Sequence, residues 1–318
     1  MPIKLHVGAP ASASIDRQVG FIARAEALGF SGAGVADDDR FGDPFETLAA
    51  AASETSRIWL YPAVTNPVTR SAAAQAQATQ DLSGVAPGRV KLAIGVGDAA
   101  IGEGKRPATL RELKKAVLDI REVLGEGSIA LFDRVPAGTP TELLPPPVMM
   151  AASGPRTLEA AGEVADEVLV TSGLTREARE AVTDAIAEGA RQAGRRVRQV
   201  PVTYYTLVSL HPDRETAIER ARPWIHFWLT QGMFRLSLKA MEIPVPPFPT
   251  PDSIPAQFLR RLANALVLAG TPKEVAAKLR RLEEDGVHTV FCMLPRGPKM
   301  HEEGLELIAD HLLPVTRR

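Results

Sequence analysis

The sequence predicts an α/β fold in which eight strands, each followed by a helix, close into a (β/α)8 TIM barrel. Short apolar runs typical of buried strands alternate with longer stretches whose apolar residues repeat at helical spacing, and this alternation occurs eight times. The length of 318 residues also suits one barrel, because α/β barrels commonly carry such a length as a single domain. We therefore expect one domain over residues 1–318, with an insertion at about 235–260.

The units follow one another in regular order. Predicted strands lie at 3–8, 32–36, 58–64, 89–94, 148–152, 167–170, 202–210 and 289–294. Predicted helices lie at 15–28, 45–55, 72–82, 110–124, 157–164, 177–193, 215–229, 273–284 and 305–312. Thr271 followed by Pro272 is typical of a helix start and supports the helix at 273–284. A Pro-rich piece at 243–255 lies between the seventh and eighth units, where it is either a rigid surface excursion or a lid over a substrate.

A doubly wound dinucleotide-binding sheet is the competing architecture. Residues 95–100 fit the pattern G-x-G-x-x-A, which places a dinucleotide phosphate at a helix start. That pattern belongs at the first strand-to-helix turn, whereas here it follows the fourth predicted strand. The acidic residue expected further along, Asp119, lies inside a predicted helix rather than at a strand end. The barrel is therefore favoured.

The composition excludes several classes of function. Lys and Arg number 37 against 38 Asp and Glu, so the formal net charge of −1 gives no global attraction to nucleic acid or to an anionic membrane. The only cysteine, Cys292, excludes an intramolecular disulfide and a Cys-based zinc cluster. The six histidines have no metal-binding spacing, so we expect no metal site, and His6 is expected to pack inside the barrel. No apolar segment is long enough for a signal peptide or a membrane span, so we expect a cytoplasmic protein.

Candidate site residues follow from the barrel prediction, because the active sites of such barrels lie in the loops after the strands. The loops after the second to sixth predicted strands carry residues 37–39, 65–67, 95–98, 153–157 and 171–173. The three consecutive aspartates at 37–39 repel one another, which raises the pKa of at least one carboxyl and suits a proton donor. The alternative is a solvated acidic turn in which one Asp caps the helix that begins after Pro44.

A phosphate-binding segment is the second candidate. Ser153 and Gly154 precede a predicted helix, and the N–H groups of its first turn, together with Arg156 and Thr157, suit an anion. The alternative is an ordinary helix start that caps itself. Residues 171–173, on the neighbouring strand, favour the phosphate interpretation.

Aromatic residues surround the predicted insertion. Trp224, Phe227 and Trp228 fall at helical spacing, which is typical of core packing. We expect substrate selection at the Pro-rich insertion, which has Phe227, Trp228, Phe234 and Phe248 near it in sequence.

Several segments of the sequence, taken together, point to a protein family more specifically than any one of them does. They are DPFETL at 43–48, SRI at 56–58, VTNPVTR at 64–70, LAIGVGD at 92–98, KRPATL at 105–110, AASGPRTL at 151–158 and AGEVAD at 161–166. With these segments the chain resembles, over nearly its whole length, the bacterial-luciferase-like flavin-dependent oxidoreductases, in particular the branch similar to methylenetetrahydromethanopterin reductase. The resemblance implies a barrel with an insertion before the eighth strand and a cofactor at its C-terminal mouth, either the deazaflavin coenzyme F420 or FMN.

The resemblance also implies roles for individual residues. Ala63, Val64, Thr65 and Asn66 would form a bulge under the cofactor ring, often with a non-prolyl cis peptide bond in such proteins. Gly97 and Asp98 would flank the cofactor. The residues that would hold its phosphate and tail are Ala152, Ser153, Gly154, Thr171, Ser172 and Gly173.

One position departs from the pattern of the family. Many members have Asp-His where this chain has Asp37-Asp38, so a histidine proton relay is absent. Asp38 takes its place, with Asp37 beside it, or the proton comes from the substrate or from water. Carboxyl and imidazole groups differ in their unperturbed pKa, about 3.9 against about 6.5. The sequence therefore leaves several candidates for the group that supplies the proton.

Three functions are compatible with these features. The first is F420-dependent hydride transfer to or from a C=C, C=N or C=O bond of a small or natural-product substrate, because the ring supplies the chemistry and the protein supplies orientation and a proton. The second is an FMN-dependent monooxygenase that uses O2 and is fed by a separate cofactor-reducing enzyme. The third is a cofactor carrier or sensor without catalysis. Members of the family commonly form homodimers, which we expect here too.

Overall fold

The structure, a computed structural model, describes residues 2–38, 42–97, 104–132, 145–196 and 200–316. One predicted site residue, Asp98, lies outside the described residues, as does the third aspartate of the acidic run, Asp39.

Strands and helices alternate along the described chain. The strands are β1 (Lys4–Gly8), β2 (Gly32–Val35), β3 (Trp59–Pro62), β4 (Leu92–Ile94), β5 (Val148–Ala152), β6 (Glu167–Val170), β7 (Val202–Leu210), β8 (Leu268–Gly270) and β9 (Thr289–Met293). The helices are α1 (Ile15–Leu28), α2 (Pro44–Glu54), α3 (Ala72–Val85), α4 (Leu110–Phe132), α5 (Pro155–Val164), α6 (Arg176–Gln192), α7 (Arg214–Thr230), α8 (Arg235–Ala240), α9 (Ala256–Leu266), α10 (Pro272–Glu284) and α11 (Pro298–His311). Two 3₁₀ turns lie at Pro251–Ser253 and Leu313–Val315.

Eight of the strands form the barrel. Parallel pairing joins them in the order β3-β2-β1-β9-β7-β6-β5-β4. Parallel bridges between Leu60 and Val90 and between Thr65 and Ile94 connect the two ends of this order. At the second bridge the Thr65 N–H donates to the Ala93 carbonyl at 2.9 Å. The predicted barrel is therefore confirmed, with β9 as its eighth strand.

Strand β8 is absent from the sequence prediction. It has three residues and lies off the main order, paired with the C-terminal end of β7. The apolar residues of α9, which include Leu262 and Leu266, run directly into Leu268, so no change of period marks the start of a strand. Helices α8 and α9 lie between α7 and β8, where the sequence predicts an insertion.

The start of α2 corrects one interpretation of the acidic run. Its N-cap is Asp43, whose Oδ1 accepts a hydrogen bond from the Phe45 N–H at 2.8 Å, with Pro44 in the first turn. Asp43 also pairs with the Arg70 guanidinium. Asp37 and Asp38 therefore do not cap this helix.

The barrel interior is filled below the C-terminal ends of the strands. One buried cluster contains Tyr61, Ala93, Met149, Leu169 and Phe291. His6 is 1% exposed and its Nδ1 lies 2.6 Å from the Tyr61 hydroxyl, so it packs inside the barrel as expected. Burial lowers the pKa of His6, which keeps the imidazole neutral.

The N-terminal end of the barrel holds a buried ion pair. Lys91 Nζ lies 2.5 Å from Glu167 Oε2, and the Thr203 hydroxyl donates to Glu167 Oε1 at 2.5 Å. The Lys91 ammonium also lies over the Trp59 ring, 5.0 Å from its centroid. These groups satisfy one another, which offsets much of the cost of burying charge. The opposite end of the barrel is where a cavity opens.

Candidate active site

The C-terminal ends of the barrel strands surround a cavity with two lobes. The larger, which we call the β1–β2 lobe, has a volume of about 470 Å³. Its wall is formed by Gly8, Ala9, Ala11, Ser12, Gly34, Ala36, Asp38, Phe291, Met293, Leu294, Arg296, Gly297 and His301. The smaller, which we call the β4–β6 lobe, has a volume of about 280 Å³. Its wall is formed by Val64, Asn66, Gly95, Val96, Gly97, Ala151, Ala152, Ser153, Thr157, Leu169, Thr171, Trp228 and Met233. Both lobes are also lined by Ala63, Tyr205, Trp224 and Phe227.

The boundary between the lobes lies at the predicted bulge. The peptide bond between Ala63 and Val64 is cis, at the place where the family resemblance implies such a bond. A Cβ built at Gly34 would lie 2.6 Å from the Ala63 Cβ and 2.6 Å from a ring carbon of Phe291. A Cβ at Gly95 would lie 3.1 Å from Val64 Cγ2. Glycine within β2 and directly after β4 therefore makes room for the bulge.

Asn66 lines the cavity and also holds the loop after β3 in place. Its Oδ1 accepts from the Val68 N–H at 3.0 Å and from the Thr69 N–H at 2.9 Å, which fixes the loop after β3. A Cβ at Gly97 would lie 2.9 Å from Asn66, and Gly97 has a φ of +90°, so only glycine fits there without strain. Asn66 and Gly97 are thus packed against each other on the wall of the β4–β6 lobe.

The two candidate aspartates have different surroundings. Asp38 lines the β1–β2 lobe, whereas Asp37 is absent from the walls of both lobes. Burial raises the pKa of Asp37, and the neighbouring Thr65 hydroxyl and Arg70 guanidinium oppose this only in part. The rise has the predicted direction, but its main cause is burial rather than repulsion within the acidic run. Asp37 Oδ2 is buried without a hydrogen-bond partner.

The predicted phosphate-binding residues divide into two groups. Ala152, Ser153 and Thr171 line the β4–β6 lobe, and so does Thr157 in the first turn of α5. Thr157 Oγ1 accepts from the Gly154 N–H at 3.1 Å and donates to the Gly154 carbonyl at 2.8 Å, so this helix does cap itself. Thr157 therefore caps its own helix and also lines the cavity.

Four of the predicted cofactor-binding residues do not line either lobe. Gly154 and Ser172 are not among the lining residues, and the Ser172 hydroxyl donates to the Gly173 carbonyl at 3.0 Å. The Gly173 N–H donates to Ser237 Oγ of α8 at 2.9 Å. Gly173 thus attaches α8 to the barrel through its backbone N–H, while the Ser172 hydroxyl is bonded within the loop itself. Thr65, whose backbone belongs to the bridge with Ile94, is likewise absent from the wall.

Sequence reasoning missed an aromatic wall. Tyr205 of β7 stacks on Phe291 of β9, with ring centroids 4.9 Å apart and planes 15° apart. Both lie within strands rather than after strand ends, where the barrel prediction places site residues, and the alternation along β7 is the sequence signal that indicates Tyr205. Trp224, interpreted as core, lines both lobes, as does Phe227. Burial raises the pKa of Tyr205, so its phenol stays neutral.

The expected substrate-selecting aromatics are only partly at the cavity. Phe227 and Trp228 line it. Phe234 is buried edge-on against Trp228, with ring centroids 5.7 Å apart. Phe248 packs on Phe258 at 5.6 Å, and His226 Nε2 lies 2.8 Å from the Phe248 carbonyl. Neither Phe234 nor Phe248 belongs to the walls of the two lobes.

Two features are absent from the described part of the chain. No group of three or more His, Cys, Asp or Glu side chains in those residues is placed to hold a metal ion. Among the helices that the structure describes, none combines the length and the apolar character needed to cross a membrane.

Comparison of the sequence with known proteins gives consistent matches. The family model described as luciferase-like monooxygenase matches residues 1–289. A 5,10-methylenetetrahydromethanopterin reductase of Methanolobus tindarius is 28% identical, covering 91% of this chain and 93% of the relative. An F420-dependent glucose-6-phosphate dehydrogenase of Beutenbergia cavernae is 31% identical, covering 85% of this chain and 82% of the relative.

Solved structures share the fold. The coenzyme F420-dependent tetrahydromethanopterin reductase from Methanopyrus kandleri superimposes with a TM-score of 0.76 at 23% identity, covering 100% of both chains. An F420-dependent secondary alcohol dehydrogenase, solved with an F420-acetone adduct, gives 0.75 at 19% identity, again over 100% of both chains. An FMN complex of the oxygenating constituent of 3,6-diketocamphane monooxygenase from Pseudomonas putida gives 0.67 at 20% identity, covering 99% of this chain and 98% of the other.

Proposed function

Because the chain belongs to the luciferase-like monooxygenase family, we propose that it is an F420-dependent oxidoreductase that transfers a hydride to or from a C=C, C=N or C=O bond of a small-molecule substrate. The observation that carries the proposal is the cavity of two lobes that meet at Ala63. Such a cavity provides one space for a flat cofactor ring and an adjoining space for a substrate. The names of the reductase and dehydrogenase relatives support F420 as the cofactor.

The β4–β6 lobe fits the cofactor in shape and charge. Ala63, Val64 and Gly95 form an apolar surface suited to a tricyclic ring. Ser153 and Thr157 place hydroxyl groups at the start of α5, where the N–H groups of a helix N-terminus favour a phosphate, and Thr171 after β6 adds another hydroxyl to the same lobe. None of the described residues that line this lobe is acidic, so nothing described there repels an anionic tail.

The side chains of the protein have three tasks in this function. When bound, F420 supplies the hydride-transferring ring. Tyr205, Trp224 and Phe227 line both lobes and exclude water from the space between ring and substrate. Asp38, on the wall of the β1–β2 lobe, donates or accepts the proton at the substrate atom that hydride transfer leaves charged.

An FMN-dependent monooxygenase is the second candidate. Its support is the hydroxyl-lined start of α5, which suits the phosphate of FMN as well as that of F420. The fold is also shared with an FMN complex. FMN would make O2 the co-substrate, so oxygen consumption separates the two functions.

Parallel titration of the purified chain tests the proposal. We expect oxidised F420 to change its absorbance and fluorescence on binding and to bind at least about tenfold more tightly than FMN, a difference of about 1.4 kcal/mol. Tighter binding of FMN would replace the first function by the second. Binding of neither would contradict both. Oxidation of bound, reduced F420 in a single turnover by any unsaturated substrate would exclude a carrier without catalysis.

Three further expectations stay predictions. They are a single domain with an insertion at about 235–260 and a cytoplasmic location, both proposed from the sequence, and a homodimer, proposed from the family resemblance. Light scattering of the purified chain measures the number of subunits directly.

A further inference from the structure

An arginine on the wall of the β1–β2 lobe carries a charge that the proposed reaction does not use. Arg296 follows β9 and is the only Lys or Arg among the described residues that line this lobe. Its guanidinium carbon lies 4.6 Å from the centroid of the Trp224 ring. Among the described residues, no carboxylate forms an ion pair with it.

The neighbouring surface shows how this differs from an ordinary surface arginine. On the adjacent helix α1, Arg17 pairs with Glu302 and Arg24 pairs with Glu306, each at 2.7 Å. Arg296 instead lies against an aromatic face. Stacking uses the flat face of a guanidinium and leaves the N–H groups on its edge available to a bidentate acceptor.

Two more features favour an anion beside Arg296. The indole Nε1 of Trp224, on a ring that lines the lobe, is buried and has no hydrogen-bond partner. Gly297, also on the wall, is the N-cap of α11, whose first turn contains no acidic residue. The N-terminus of a helix of 14 residues adds positive potential at this point.

We propose that Arg296 binds an anionic group of the substrate, a carboxylate or a phosphate, while an apolar body of the substrate lies against Trp224, Phe227 and Phe291. The inference rests on the proposed function, because it names the class of substrate for the same cavity. Asp38, the one acidic residue among the described lining residues, repels a second negative charge. A substrate with one anionic end is therefore favoured, with that end at Arg296 and its reacting bond nearer Ala63.

Calorimetric titration with simple probes tests the proposal without knowledge of the substrate. The probes are benzoate, phenyl phosphate and the uncharged benzamide, each titrated into the chain with and without saturating F420. We expect one or both anions to bind at least about tenfold more tightly than benzamide, since a hydrogen bond to a charged group has about this effect. The preferred anion distinguishes a carboxylate substrate from a phosphate substrate.

Matched variants assign the effect to Arg296. Arg296→Gln should remove the preference for the anion, and Arg296→Lys should keep part of it, because the charge remains but the planar stacking is lost. Lys299→Gln, which removes another exposed cation within the first turn of α11, should leave the preference unchanged. Arg296 is exposed, so its replacement should not alter folding, which circular dichroism checks.

Three results would overturn the proposal. They are equal binding of benzamide and the anions, no detectable anion binding at the solubility limit of the probes, and an anion preference that survives in Arg296→Gln. F420 affinity is measured on the same samples. Anion preference without F420 binding would refute the proposed function alone, and F420 binding without anion preference would refute this inference alone.

Discussion

The imidazole of His6 occupies the space that a side chain at Gly32 would need. A Cβ built at Gly32 would lie 2.5 Å from both Cγ and Nδ1 of His6, which is 1% exposed and bonded to Tyr61. β1 and β2 pair directly at these two residues. The barrel interior therefore has room for the His6 ring on β1 because the facing residue on β2, Gly32, has no side chain.

Gly32→Ala should destabilise the fold by about 1–3 kcal/mol, because the ring cannot move away without breaking its bond to Tyr61. Urea unfolding measures the change. Gly20→Ala, on α1 where a new Cβ meets nothing within 4 Å, is the matched control. We expect the control to be neutral or to stabilise by up to about 1 kcal/mol. Equal stability of the two variants would contradict this account of the interior.

The ion pair at the N-terminal end of the barrel gives a second prediction. Glu167→Gln should destabilise the fold by about 3–5 kcal/mol, because it leaves the Lys91 ammonium buried without its partner. The side chains of Lys91 and Glu167 are only 12% and 8% exposed, so water cannot replace the lost partner fully. The double variant Lys91→Met, Glu167→Leu should recover much of the loss. A double variant no more stable than Glu167→Gln would argue against this explanation.

Asp37 gives a prediction for pH dependence. Burial raises the pKa of Asp37 in the folded chain, so folding favours its protonated form. That contribution is fully present below the unfolded pKa, about 3.9, and is lost as the pH rises through the higher folded pKa. The stability of Asp37→Asn relative to the wild type should therefore increase from about pH 4 to about pH 7. Asp119→Asn, at an exposed carboxylate paired with Lys115, is the control and should show no such increase. A flat difference for Asp37→Asn would contradict the raised pKa.

Ser153 and Ser172 are expected to have different roles, the first in cofactor binding and the second in packing. Ser153→Ala should weaken F420 binding about two- to tenfold, because it removes a hydroxyl from the wall of the β4–β6 lobe. Ser172→Ala should leave the affinity unchanged and lower the unfolding free energy, because Ser172 is buried and bonded to Gly173. Fluorescence titration and urea unfolding give both quantities. Reversed effects would exchange the roles of the two residues.

Asp38 has a prediction of its own under the proposed function. Asp38→Asn should reduce the single-turnover rate of hydride transfer about 100-fold or more, while F420 affinity stays unchanged. The rate is followed by stopped-flow absorbance of the bound cofactor. An unchanged rate would mean that water or the substrate supplies the proton.

The periodicity of the sequence predicts most of the architecture, because buried strands and amphipathic helices leave strong local patterns. It does not predict β8, since three residues directly after the apolar face of α9 leave no boundary in the pattern. The rule that sites follow strand ends finds Asp38, Ser153 and Thr171. It misses Tyr205, because the position of a residue inside a strand does not reveal which of its faces meets a cavity.

The role of a single residue is harder to predict than the fold, because the same residue type can serve either packing or binding. Ser172 and Ser153 look alike in sequence, but the Ser172 hydroxyl is buried and bonded to the Gly173 carbonyl, whereas Ser153 lines the cavity. The sequence alone indicates only a surface cation at Arg296. It does not reveal the contact with the Trp224 ring, because the two residues are 72 positions apart in the chain, 296 against 224.

The filled interior below the cavity has a consequence for access to both lobes. Tyr61, Met149 and Leu169 pack the barrel beneath both lobes, so a molecule in either lobe enters and leaves at the C-terminal rim. Under the proposed function, cofactor and substrate would therefore enter from the same end of the barrel and meet along the wall that both lobes share, at Ala63, Tyr205, Trp224 and Phe227.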